Sequence, residues 1–268
     1  SGHVRIYKNI NNIWTQVGAD IDGEATGDSF GSSVSLSDDG SIIAIGALRN
    51  DGNGFNSGHV RIYKNINNIW TQVGADIHGE GDSDYFGRSI DLSGDGNFLA
   101  IGAHYHDSNG QNSGHARIFQ NINNIWTQVG TDIHGEAEGD NAGNTVAISN
   151  DGSIVAVSSP GNDNSSKTNA GYVRIYRNIN GIWTKVGANI NGKAWAELLG
   201  LTLSLSDNGS FIAIGSQSNI HTRGSRPGSI RIYTTNILST KIQGPSGGLG
   251  ASSSHISINE SHTSIYNF

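Results

Sequence analysis

Three connections of this chain carry carboxylates at one fixed spacing. They read Asp20-Ile21-Asp22-Gly23-Glu24, Asp76-Ile77-His78-Gly79-Glu80 and Asp132-Ile133-His134-Gly135-Glu136, and a fourth copy has Asn189-Ile190-Asn191-Gly192-Lys193. Loops with two or three acids each suit a hard cation, and calcium (Ca²⁺), which takes about six to eight oxygen ligands, is the cofactor they admit. The competing reading is a hydrogen-bonded loop in which the Asp satisfies backbone N–H groups; it is slightly favoured, and no metal ligand is assigned. Asp22, Glu24, His78, Glu80, His134 and Glu136 remain candidate ligand contacts. A second, longer set of connections runs from Leu48 to Ser57, His104 to Ser113, Gly161 to Ala170 and Gln217 to Gly228. There His104, His106 and Asp107 form the densest cluster and are read as lacking counterparts in the other copies. Trp195 is unique and lies in a loop, where it is either an exposed contact or a plug.

Enzymatic signals are poor. Gly244-Pro245-Ser246-Gly247-Gly248 matches G-x-S-x-G as a string, but a nucleophile elbow needs a strand before it and a helix after it. No H-E-x-x-H occurs, and no catalytic residue is assigned. The chain has no cysteine, which excludes a thiolate zinc site and a cysteine nucleophile. A formal net charge of −7 argues against a nucleic-acid partner, because phosphate affinity needs a basic face. No apolar run is long enough to span a membrane. Methionine is absent, including at the start, so the chain is read as a processed or excised part of a longer protein.

The elements that position these residues are repeated. Ser1 to Ile21 recurs letter for letter at Ser57 to Ile77, and the chain divides into units 1–56, 57–112, 113–169, 170–227 and 228–268 of a single domain, 1–268. Periods of this size indicate a propeller or another repeat array. Each unit holds four segments of strand length and chemistry, in the first copy HVRIY, IWTQV, SVSLS and IIAIG. Asn11-Asn12 and its copies sit between the first two segments, Asp39-Gly40 and its copies between the third and fourth. Both pairs are read as type I′ turns, whose central residues need positive φ. Lys193 to Gly200 is the best helix candidate, and a poor one. Arg5, Arg61, Arg117, Arg174 and Arg231 recur in all five units, and Trp14, Trp70, Trp126 and Trp183 in four. Recurrence in every unit marks scaffold, with the arginines paired to acids such as Asp20 and the tryptophans packing between strands or blades. Glycine is in excess, 38 of 268 residues, about twice the usual ~7%, as a chain of many tight turns requires.

Phe30-Gly31 precedes SVSLS and Gly46-Ala47 follows IIAIG; Phe86-Gly87 and Gly102-Ala103 repeat this. In these motifs the chain resembles the FG-GAP repeats of integrin alpha-subunit propellers, and more closely the FG-GAP-like repeats of secreted or surface bacterial proteins. The resemblance implies an all-β fold with the FG strand innermost in each blade, the GAP strand second, and the GHVRIY and IWTQVG types third and fourth. It does not carry over the integrin calcium loop, because Ser37-Asp38-Asp39-Gly40 is too short and too poor in ligands. The strand inventory gives a five-bladed β-propeller of four antiparallel strands per blade. The ring closes by pairing the N-terminal outer strands with C-terminal inner strands, Ser253 to Ile258 and Thr263 to Asn267. The expected function is a non-catalytic binding or adhesion module, extracellular or at the cell surface, holding a glycan or a protein by loops on one face. The rivals are a polysaccharide hydrolase or lyase with its site at the central channel, and a structural module of a larger assembly.

Overall fold

The computed structural model describes residues 1–163, 167–217 and 228–235. The expected strands at 253–258 and 263–267, the string at 244–248 and most of the fifth unit lie outside the described residues. All regular structure among those described is β. The chain opens with β1 (His3–Val4), β2 (Tyr7–Ile10), β3 (Ile13–Gln16) and β4 (Ile21–Asp22); β1 pairs with β4 and β2 with β3. The first blade follows as β5 (Phe30–Leu36), β6 (Ile42–Ala47), β7 (His59–Ile66) and β8 (Ile69–Gln72), with β9 (Ile77–His78) returning to pair with β7. The second is β10 (Ser89–Leu92), β11 (Phe98–Ala103), β12 (His115–Ile122) and β13 (Ile125–Gln128), with β14 (Ile133–His134) on β12. The third is β15 (Val146–Ile148), β16 (Ile154–Ser159), β17 (Tyr172–Ile179) and β18 (Ile182–Asn191). The fourth shows β19 (Thr202–Leu205), β20 (Phe211–Ser216) and β21 (Ser229–Thr234).

These sheets are arranged as blades of a β-propeller. Their first strands stand side by side, β5 by β10, β10 by β15 and β15 by β19, so the FG strand is innermost. Four blades are described rather than the five expected, and the N-terminal hairpin β2–β3 pairs with no inner strand among the described residues. Four apolar clusters fill the spaces between sheets, built from alternating strand residues such as Ile45, Ile62, Leu99, Ile101, Val155 and Ile175.

The FG and GAP glycines have one physical purpose. A Cβ on Gly46 would lie 2.4 Å from the Gly87 carbonyl oxygen, and one on Gly102 would lie 1.9 Å from that of Gly143. The GAP glycine of one blade thus touches the FG-position glycine of the next, backbone on backbone. Gly87 and Gly143 also hold φ of 85° and 78°, which L side chains rarely adopt. At the rim, Trp70 Nε1 donates to the Val17 carbonyl at 2.8 Å, Trp126 to Val73 at 3.2 Å and Trp183 to Val129 at 2.8 Å. The repeated tryptophans are therefore inter-blade packing.

The outer hairpins turn as expected: Asn11 and Asn12 have φ of 53° and 66°, and Tyr7 pairs with Gln16. The Asp-Gly turns do not. In Ser37–Gly40 the Gly40 amide donates to the Ser37 carbonyl, and only Gly40 has positive φ. That is a type I turn followed by a left-handed glycine. The Asp39 carboxylate accepts from Ser37 Oγ and Ser41 N instead of adopting positive φ itself. Lys193–Gly200 is not a helix; Ala196 and Leu198 take φ of 51° and 53°, which breaks any helical run.

At the axis, these turns from all four blades meet. Asp38 N donates to Gly94 O, Asn150 N to Asp207 O, and Asn150 Nδ2 to Asp38 Oδ2 at 2.7 Å. Beside them is a cavity of about 390 Å³ lined by inner-strand residues including Leu36, Asp91, Ile148 and Leu205. Asp91 ties three inner strands: its carboxylate accepts from Ile148 N at 2.8 Å and from Ser35 Oγ at 3.3 Å. Burial pushes its pKa up to about 6 despite those donors.

Two outcomes follow. Gly102→Ala should cost about 3 kcal/mol or more by forcing adjacent blades apart. Gly81→Ala, whose Cβ would meet only ordinary contacts, should be near neutral; equal melting temperatures for the two variants would contradict the inter-blade role. Asp91 retains its proton in the folded chain between about pH 4 and 6, where the unfolded chain has lost it, so stability falls as pH rises through that window. Asp91→Asn should flatten the wild-type fall by ~1–2 kcal/mol, as measured by urea unfolding at pH 4 and 6.

Candidate functional site

The two loop sets singled out in the sequence lie on one face, opposite the Asp-Gly turns, and they are zipped together. Ser83 N donates to Phe55 O, Gly139 N to Gln111 O and Ala196 N to Thr168 O. One step along, Tyr85, Asn141 and Leu198 donate to the carbonyls of Asn56, Asn112 and Asn169. This repeated ladder gives each blade the same rigid loop platform, on which only the side chains differ.

Most acids of the platform serve the scaffold. Glu24 pairs with Arg61, Glu136 with Arg174, and Glu80 with Arg117 at 2.9 Å. Arg61 also pairs with Asp76 and Arg5 with Asp20, each at 2.8 Å. In the fourth blade Lys193 occupies the Glu position, and Glu197, four residues on, pairs with Arg231. Thus most of the DIxGE carboxylates are committed to arginines. Asp22 is exposed on β4 opposite His3. Asp107 does have counterparts: its carboxylate accepts from Asn112 N at 2.7 Å, as Asp51 does from Asn56 N and Asp163 from Asn169 N. It is a loop-closing residue.

His104 is also scaffold. Its ring packs 3.9 Å from Tyr105 and 6.0 Å from Tyr85, and burial lowers its pKa to about 4. Trp195 is half exposed on the loop between β18 and β19, at 50% of its free area. Phe55 at 66% and Tyr105 at 41% are the exposed aromatics of the equivalent face in the first two blades. His78 is exposed beside buried His59, rings 5.9 Å apart.

The densest titratable group is in the second blade. His115 and His134 are opposite residues of the β12–β14 pair. His106 stacks on His115 with ring centroids 4.0 Å apart and lies 6.4 Å from His134. Glu80 Oε2 is 3.4 Å from His106 Nε2, and Asp132 Oδ2 is 3.4 Å from His115 Nδ1. Ser108 Oγ lies 2.7 Å from His134 Nδ1. His115 is fully buried, and neither of its nitrogens has a hydrogen-bond partner. Burial, and then the charges of His106, Arg117 and His134, lower its pKa to about 2, keeping the imidazole neutral. Two further groups could also hold a cation: Glu24 with His59 and Asp76, and Glu80 with His115 and Asp132.

Of the ten candidates read from sequence, the fold brings Glu80, His106 and His134 together and leaves Asp22, Glu24, His78, His104, Asp107, Glu136 and Trp195 outside that group. His115 and Asp132 were not among those candidates, although each recurs in other copies, as His59 and Asp76 do. The missed signal is a coincidence of positions. The three aligned sites hold Asn50, His59 and His78 in the first blade, His106, His115 and His134 in the second, and Asn162, Tyr172 and Asn191 in the third.

The FG-GAP repeat family model matches residues 19–63 and 79–119. No curated protein matches the chain in sequence. Among solved structures it is similar to hydrazine synthase of Kuenenia stuttgartiensis, at 13% identity and TM-score 0.46, over 75% of this chain and 49% of that one. It is also similar to a putative 6-phosphogluconolactonase from Bacteroides uniformis, at 11% identity and TM-score 0.45, over 83% of this chain and 73% of that one. The chain spans about half the length of the hydrazine synthase chain, and neither likeness bears on what it does. The two matched FG-GAP repeats, the interlocked FG and GAP glycines and the blades ordered around one axis support an FG-GAP repeat β-propeller.

Proposed function

We propose that this propeller is a non-catalytic binding module, exposed on a cell surface or secreted, that holds a glycan or a protein on its zipped loop face. The observation that carries this reading is the set of exposed aromatics, Phe55, Tyr105 and Trp195, on three blades of that face. Aromatic side chains supply a large contact area at low entropic cost, and the loop ladder holds their backbones before any ligand arrives. Several similar blades suit weak, multivalent contacts. Residence outside the cell accords with the family, whose repeats are typical of surface proteins, and among the described residues no helix is long and apolar enough to cross a membrane.

The same reading includes a fifth blade. Trp14 is 69% exposed, whereas its copies Trp70, Trp126 and Trp183 are half-buried against the preceding outer strand. In a closed ring the outer strand of the fourth blade would cover it, and the inner strands for hairpin β2–β3 are read in 253–258 and 263–267.

Binding should be screened on a glycan array and by capture of surface proteins, with and without calcium. Phe55→Ala and Trp195→Ala should each weaken the ligand found by about tenfold or more. Undiminished affinity in both variants would remove the loop face as the site, and failure on every glycan would leave only the protein ligand. Removing residues 243–268 should lower the melting temperature by more than ~10 °C if they complete the N-terminal blade. An unchanged melting temperature would overturn closure.

A further inference from the structure

We propose that His106, His115 and His134 form a binding site for one divalent transition-metal ion of the zinc class, which pins the 104–113 loop to the β12–β14 edge. One ligating nitrogen of each ring lies within 4.8 Å of the other two. A tetrahedral site with metal–nitrogen bonds of about 2.0–2.1 Å needs nitrogens about 3.3 Å apart, so the rings must draw together, and His106 must turn out of its stack on His115, to close it. The donors are imidazoles, which suit zinc, copper or nickel and not calcium.

Three observations carry the assignment. First, His115 is fully buried with both nitrogens unpartnered, although buried polar atoms normally find partners; a metal ion supplies the missing one. Second, groups that orient metal-bound imidazoles are in place: Ser108 Oγ on His134 Nδ1, Asp132 beside His115 and Glu80 beside His106. Arg117, paired with Glu80, also faces this group. Third, the repeat supplies its own comparison. In the first blade, Asn50 Nδ2 donates to Asp28 at 3.0 Å, and in the third Asn162 Nδ2 donates to Asp140 at 2.8 Å. Tyr172, at the place of His115, donates its hydroxyl to Asp140 at 3.3 Å. The blade thus folds with asparagine and tyrosine at these positions, so three histidines are not a requirement of the scaffold.

The neighbouring blades also provide the test. The wild-type chain, stripped of metal with a chelator, is titrated with Zn²⁺ and Co²⁺ near pH 7 by calorimetry, with visible absorption reporting the Co²⁺ ligand field. One equivalent should bind with a Kd of about 1 µM or tighter. His106→Asn and His134→Asn should each weaken binding at least tenfold and keep the metal-free melting temperature. The triple variant His106→Asn, His115→Tyr, His134→Asn, which copies the third blade, should lose the one-equivalent phase. No saturable binding by the wild type, full binding by the triple variant, or displacement of Zn²⁺ by equimolar Ca²⁺ would each overturn the proposal.

Discussion

Backbone meeting backbone between blades is the constraint on which this structure depends. Where Gly102 lies against Gly143, and Gly46 against Gly87, no side chain fits between second strand and next inner strand. That contact brings the inner strands close enough for their polar groups to cross from blade to blade. Ser35, Asp91 and Ser89 then bond to amides or carboxylates of the neighbouring inner strand. The axial turns touch for the same reason. At the rim, where sheets diverge, a tryptophan spans the wider gap and bonds a carbonyl of the preceding blade. The blade thus uses its smallest residue at the axis and its largest at the periphery.

The loop face inherits its rigidity from that frame. The residue before each FG pair or its counterpart, ahead of the inner strand, holds positive φ: Ser29, Tyr85, Asn141 and Leu198; the last three are zipped to the neighbouring loop. The arginine of the third strand then clasps a carboxylate of the incoming loop. Where Lys193 takes the place of the usual glutamate, Glu197, four residues on, pairs with the arginine, so the clasp is kept by a different residue. Charges that look available for a ligand in the sequence are for this reason largely committed to the fold.

Sequence reading was most effective where interactions are local. The hairpin at Asn11-Asn12 and the pairing of Tyr7 with Gln16 follow from a two-residue turn and strand alternation. The assignment of FG and GAP strands followed from repetition. It erred at Ser37–Gly40, where a carboxylate acting on nearby amides selects a different turn, and at Lys193–Gly200, where zipping to Thr168 and Asn169 overrides any helical tendency. Asp107 was read as lacking counterparts, although Asp51 and Asp163 stand at the same 56-residue spacing; all three close the same loop with the same bond.

What the sequence by itself determined is the repeat, the strands, their order within a blade and the loop face, because period and turn chemistry act over a few residues. Only the tertiary structure decided which side chains share a site. His115 is a scaffold position in the sequence and becomes the buried centre of a histidine cluster, because β14 returns to pair with β12 and the zipped loop lays His106 across both. Such meetings are set by strand register and loop docking between residues distant in the chain, and no local pattern encodes them.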